Sequence, residues 1–188
     1  ECIAAVTRVK ANRADIPVVL HLDHGLTLDT IQTAIDLGFT SVMFDGSSLP
    51  YEQNRKLTGQ VRRMCAGTTV SVEAELGAVG GSETGDLVSM ADELQYTDLD
   101  QAVDFVRETG IDALAVAIGN AHGAYIREPR LDFNRLANLN EALRLPMVLH
   151  GGSGISDDDF RRAIDGGITK INFFTGMLNA AIDRTADR

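Results

Sequence analysis

The sequence predicts an α/β fold in which strands of a parallel sheet alternate with helices. Short apolar runs rich in Val, Ile and Ala recur between longer stretches of helical period. The runs are near-continuous, as in strands buried on both faces of a parallel sheet. Glycines stand where the helical stretches stop.

Taken in order, a helix is expected over 1–14 and strands over 16–22, 40–44, 69–76, 113–118, 146–150 and 168–172. Between them, helices are expected at 28–37 stopped by Gly38, at 100–109 stopped by Gly110 and at 157–165 stopped by Gly166, with a last one after Thr175. Asp98 and Ser156 suit N-caps, because a short side-chain oxygen can accept from a free first-turn N–H. The stretch 77–95, rich in Gly, Ser and acidic residues, is the one long irregular segment and the place for a mobile lid. Nothing divides 1–188, so one domain is expected. An open doubly wound sheet and an eight-stranded barrel both suit repeated βα units. A barrel trimmed at both ends explains an opening helix without its preceding strand and a chain that stops on a helix. The absence of Gly-x-Gly-x-x-Gly after the first strand argues against a dinucleotide-binding sheet.

Composition narrows the function. A formal net charge of -10 leaves no broad basic surface for nucleic acid or an anionic membrane, so an anionic ligand must be held by a local pocket. A small phosphorylated metabolite fits that limit. With only Cys2 and Cys65 and no apolar run of spanning length, a reducing cytoplasm is the expected location.

Chemistry concentrates at the strand ends. Asp23 and His24 follow the first predicted strand, Asp45 the second, Glu75 closes the third, and His122 lies just past the fourth; His150 ends the fifth and Asn172 the sixth. This is the face on which barrel active sites are built. A lone histidine there is ordinarily a structural residue, but three at three strand ends can converge as the three imidazoles of a catalytic zinc site. His21, inside the first strand, is assigned packing or support of a ligand. Gly151, Gly152, Ser153 and Gly154, and then Asn172 to Thr175, form two anion-binding candidates after the last two strands, where barrels often bind phosphate. Taken alone, a Gly-Gly-Ser-Gly turn is more often a tight βα connection.

Six stretches together resemble a known family: LHLDHG (20–25), SVMFDGS (41–47), SVEAELGAVGG (71–81), ALAVAIGNAHGAY (113–125), VLHGGSG (148–154) and KINFFT (170–175). They resemble, in order and over the full length, the class II zinc-dependent fructose- and tagatose-bisphosphate aldolases. The resemblance implies a (β/α)8 TIM barrel, of which about six βα units are present. It also implies reversible aldol cleavage of a ketose 1,6-bisphosphate to dihydroxyacetone phosphate and glyceraldehyde 3-phosphate, and a homodimer or homotetramer.

Carried over residue by residue, the resemblance makes His24, His122 and His150 ligands of a catalytic Zn2+ that polarises the carbonyl as a Lewis acid. It makes Asp23 the acid–base group on the C4 hydroxyl and Glu83 the mobile-loop carboxylate that takes the proton from the neighbouring carbon. Asp45 and Glu75 match positions that hold a second divalent metal or orient the zinc ligands. Gly123, Gly151, Gly152, Ser153, Asn172, Phe173, Phe174 and Thr175 match the dihydroxyacetone-phosphate pocket, and Gly123 and Ser153 also match a monovalent-cation site. Of the only lysines, Lys10, Lys56 and Lys170, Lys170 on a strand is the one to test for a Schiff base.

The chain departs from the family pattern at Ile126, where many fructose-type members carry lysine, and at Phe173 and Phe174, which replace small residues. Arg127 and Arg130 can supply charge to a second phosphate, although beside Glu128 they also suit a solvated loop. Two other readings compete: a zinc hydrolase on the same barrel, and a non-catalytic aldolase-like subunit. The paired phosphate loops oppose the first, and the intact Asp23, Glu83 and histidines oppose the second.

Overall fold

The computed structural model describes residues 2–77, 79–81, 96–123, 125 and 129–186. The opening helix α1 is Cys2–Ala11, followed by β1 His21–Gly25, α2 Leu28–Asp36, β2 Ser41–Phe44, α3 Tyr51–Met64 and β3 Ser71–Leu76. Then come a two-residue strand β4 Gly80–Gly81, α4 Leu99–Thr109, β5 Ala113–Val116, a second short strand β6 Ala121–His122 and α5 Phe133–Leu143. The chain continues through β7 Met147–Leu149, α6 Asp157–Asp165, β8 Ile168–Ile171 and α7 Thr175–Ala186. Six parallel strands in chain order, alternating with helices, make this the partial (β/α)8 barrel that the family resemblance implies.

The chain forms two compact units, 1–75 with 105–113, and 76–104 with 114–188. In the first, β1 pairs with β2 and β2 with β3, all parallel, in register Ser41↔Ser71 to Phe44↔Ala74 for the second pair. Every residue of β2 is buried, and Ile31 of α2 is wholly buried. Side chains such as Ile31 and Phe44 each contribute about 1.5–3 kcal/mol by leaving water. In the second unit, β5 pairs with β7 and β7 with β8, again parallel, and the whole of β7 is buried.

Local sequence explains most boundaries. Thr27, Asp132 and Ser156 each accept from an N–H of the first helical turn, and Asp98 accepts from Gln101 N at 2.9 Å. Gly38 and Gly110 take φ of +79° and +64°, which suits residues without a Cβ after α2 and α4. At α6 the left-handed residue is Gly167, one past the expected Gly166, which is itself right-handed.

Two expectations need correction. The first strand is His21–Gly25 and not 16–22, because β2 begins only at Ser41 and the ladder starts where it has a partner, at His21↔Ser41. Ile16 and Val19 upstream are 71% and 64% exposed. Burial on both faces holds for the middle strands, whereas β1 and β8 are only partly covered. The short parallel pair β4·β6, matching Gly80↔Ala121 and Gly81↔His122, was not legible in two-residue runs. Among the described residues no helix is long and apolar enough to cross a membrane. The proposed lid lies almost wholly outside them.

Candidate active site

In the first unit the site is built on an irregularity of β1. The ladder to β2 passes from Leu22↔Val42 to Gly25↔Phe44, so β1 carries one residue more than its partner. That bulge puts His24 in the left-handed region, φ 53°, which a non-glycine residue seldom adopts. Asp23 is left 45% exposed, while the His24 side chain is 19% exposed. Asp23 and His24 therefore lie within the strand rather than after it.

The His24 ring is fixed by Asp45. Nδ1 lies 2.8 Å from Asp45 Oδ2, and Nε2 lies 3.9 Å from Asp23 Oδ1. Asp45 is itself held, since Ser47 donates to its Oδ1 through both the backbone N–H, at 3.0 Å, and the hydroxyl, at 2.7 Å. Burial alone pushes the Asp45 carboxyl up, but the His24 and Ser47 donors outweigh it and hold the group well below the usual carboxylate range. Burial pushes His24 down, but the Asp45 hydrogen bond and the charges of Asp23, Glu75 and Asp45 outweigh it, so the imidazole is pushed up to about 9. A histidine bonded through Nδ1 to a carboxylate presents Nε2 as the ligating nitrogen.

Glu75 is buried at the end of β3, and one ligand atom each from His24, Asp45 and Glu75 lie within 4.8 Å of one another. Two carboxylate oxygens and an imidazole nitrogen so grouped form a donor set suited to a divalent cation. Asn54 of α3 secures the strand end by donating to Glu75 O at 2.9 Å. Gly46 makes room for it: a Cβ there would lie 2.3 Å from Asn54 Oδ1. His21 bonds Ser41 Oγ at 2.8 Å and lies 3.7 Å from Glu73.

In the second unit β6 presents His122 and the end of β7 presents His150, which is fully buried. Their rings meet edge to face, with centroids 5.5 Å apart, and His122 Nε2 lies 3.3 Å from His150 Nδ1. Two tetrahedral ligands about 2.0–2.1 Å from one zinc ion are separated by about 3.3 Å, so this pair fits the metal that the donor chemistry suggests. Asn172 Nδ2 lies 3.3 Å from His150 Nε2 and 3.4 Å from Nδ1.

The two anion-binding candidates are brought together. Gly152 N donates to Asn172 O at 2.9 Å, and Gly176 N in the first turn of α7 donates to Ser153 Oγ at 2.9 Å. Ser153 is buried, whereas Phe173 and Phe174 are 50% and 44% exposed. Gly123 and Gly151 both take positive φ, 86° and 66°. Thr175 begins α7. Glu83, Ile126, Arg127 and Glu128 lie outside the described residues, and Arg130 is exposed.

Sequence reasoning missed four supporting side chains: Ser47, Asn54, Asn120 and Tyr125. Asn120 is fully buried, donates to His150 O at 3.0 Å and accepts from Ile118 N at 2.8 Å. Tyr125 Oη accepts from Ala121 N at 2.9 Å and donates to Gly151 O at 2.8 Å. Asn120 and Tyr125 sit inside a quoted stretch, but nothing in their residue types distinguishes them from loop residues.

The model of the fructose-bisphosphate aldolase class-II family matches residues 1–188. The chain belongs to that family. It is 46% identical over 168 residues to the 6-phospho-5-dehydro-2-deoxy-D-gluconate aldolase of Shouchella clausii. It is 49% identical over 165 residues to the protein of that name from Halalkalibacterium halodurans. These matches cover 89% and 88% of this chain, which spans 56% of the length of each relative. Among solved structures it is similar to the YdjI aldolase of Escherichia coli K12, at 39% identity and a TM-score of 0.86, covering 98% of this chain and 64% of that one. Class II aldolases are in general zinc-dependent lyases acting on phosphorylated sugars.

Proposed function

We propose that the protein is a zinc-dependent aldolase that breaks the carbon–carbon bond beside the ketone of a phosphorylated substrate and releases dihydroxyacetone phosphate. The observation that carries this reading is the 3.3 Å between His122 Nε2 and His150 Nδ1, the spacing of two ligands on one zinc ion. The third ligand in this reading is His24, a role supported by the orientation of its ring by Asp45. Bound zinc supplies Lewis-acid polarisation of the substrate ketone. Glu75 and Asp45 either serve that orientation or take a second divalent metal.

The remaining steps fall to this chain's own residues. Asp23, half-exposed beside His24, accepts the proton of the hydroxyl across the breaking bond as that carbon becomes an aldehyde. The electron pair of the broken bond passes to the carbon next to the ketone. Glu83 delivers a proton to that carbon, completing dihydroxyacetone phosphate. Gly151, Gly152, Ser153 and the segment from Asn172 through Phe173 and Phe174 to Thr175 bind the phosphate, aided by backbone N–H groups. Gly123 and Ser153 also hold a monovalent cation.

For the other half of the substrate we favour 6-phospho-5-dehydro-2-deoxygluconate, the compound in the names of relatives 46% and 49% identical. Breaking its C3–C4 bond yields dihydroxyacetone phosphate and a three-carbon aldehyde acid. A fructose-type 1,6-bisphosphate, which the family description supports, or its tagatose counterpart yields the same triose phosphate with glyceraldehyde 3-phosphate. A single barrel domain, a cytoplasmic location and a homodimer or homotetramer belong to the same reading.

The test presents the full-length, zinc-loaded protein with all three compounds and detects dihydroxyacetone phosphate enzymatically. Release from the sugar acid in preference to both bisphosphates supports the favoured substrate. Preference for a bisphosphate moves the assignment to that sugar, and release from none of them overturns the aldolase reading.

A further inference from the structure

The His122–His150 spacing depends on how closely the end of β7 approaches β6, and the structure brings those backbones unusually near. A Cβ on Gly151 would lie 1.9 Å from Ala121 O and 2.5 Å from Ala121 C. Such an approach sets the Ala121 carbonyl against the backbone of Gly151. Tyr125 spans the junction, its phenol oxygen accepting from Ala121 N and donating to Gly151 O. Each end of that bridge is one residue from a proposed ligand, Ala121 before His122 and Gly151 after His150. The ring is packed as well: a Cβ on Gly154 would lie 2.9 Å from Tyr125 Cδ2.

We infer that Tyr125 is a positioning residue that sets the separation of the two histidine nitrogens by tying β6 to the exit of β7. This rests on the proposed metal role of His122 and His150. The phenol suits the task because one oxygen can accept and donate at once, whereas a phenyl ring of the same shape does neither. Burial pushes its proton affinity up, to about 12, so it stays a donor across the working pH range.

The variant Y125F removes only the oxygen. The matched control is T97V, since buried Thr97 also bridges two backbone groups, donating to Leu76 O at 2.5 Å and accepting from Ala117 N at 2.8 Å. Both variants are expected to lose similar stability in urea. Zinc affinity, measured by competition with a chromophoric chelator on the full-length protein, is expected to fall about 10–100-fold in Y125F and to stay within about twofold in T97V. The visible spectrum of the cobalt-substituted protein is expected to shift in Y125F alone. A wild-type protein that binds no zinc overturns the metal reading and this inference with it. Wild-type binding with an unchanged affinity and cobalt spectrum in Y125F overturns the inference alone.

Hydrogen exchange of the unmodified protein gives a test independent of whether Y125F folds. Zinc is expected to slow exchange at Ala121 N–H and leave Ala117 N–H unchanged. Equal response at both amides contradicts a bridge coupled to the metal site.

Discussion

Replacing Gly151 with alanine tests the close approach on which the second half of the site is built. Two costs combine there. The residue has φ 66°, and placing an L side chain in the left-handed region costs about 1–2 kcal/mol. The new Cβ would also sit 1.9 Å from Ala121 O, where real Cβ contacts are essentially never under 3.0 Å, so rigid backbone must move by at least 1.1 Å. That shift breaks the Tyr125 bridge, whose two bonds contribute about 0.5–1.5 kcal/mol each. The sum is roughly 2–5 kcal/mol.

Gly67 supplies the control, because its φ is 77° but nothing lies within 4 Å of a Cβ built there. Only the conformational cost applies, so G67A should lose about 1–2 kcal/mol. Urea unfolding of the full-length protein, followed by circular dichroism, reads both. A G151A protein within about 1 kcal/mol of G67A, with zinc affinity intact, would refute the reasoning.

Further expectations follow from the His24 environment, the burial of the thiols and the metal ligands. In metal-free protein the raised affinity of His24 for its proton contributes stability that is fully present below pH 6.5 and lost as pH rises through about 9. The shift from 6.5 to about 9 corresponds to about 3 kcal/mol. Urea midpoints in chelator should fall across that window and flatten in D45N; equal slopes in the two proteins would contradict the pairing of His24 with Asp45. Cys2 is exposed while Cys65 is fully buried with its thiol pushed up by burial, so native labelling should modify Cys2 and spare Cys65 until denaturant is added. Rapid native modification of Cys65, read by peptide mass spectrometry, would contradict its burial at the C-terminal end of α3. H122A and H150A should each lower zinc affinity by more than about 100-fold, since each removes a direct ligand rather than its support; a loss no larger than that of Y125F would remove them from the ligand set.

Much of the fold was legible because its signals are local. Buried parallel strands read as unbroken apolar runs, and Asp98, Ser156, Gly38 and Gly110 punctuate helices by chemistry that needs no partner. The start of β1 was not legible, because pairing is decided by the strand opposite, and β2 offers nothing before Ser41. The bulge that turns His24 was equally hidden, since Asp-His carries no bulge signal. For the site, clustering histidines at strand ends pointed to His122 and His150, whose nitrogens lie together, and motif resemblance supplied Asp45, which holds His24. Asn120 and Tyr125 escaped notice because their role lies in contacts to backbone atoms about thirty residues away, to His150 O and Gly151 O.

The most direct test of the central claim is zinc titration of chelator-stripped, full-length protein while its release of dihydroxyacetone phosphate is followed. The account predicts that activity vanishes on stripping, returns as zinc approaches one equivalent per chain, and leaves no covalent adduct at Lys170 after borohydride treatment with substrate. Full activity in the stripped protein, accompanied by borohydride trapping at Lys170, would contradict it.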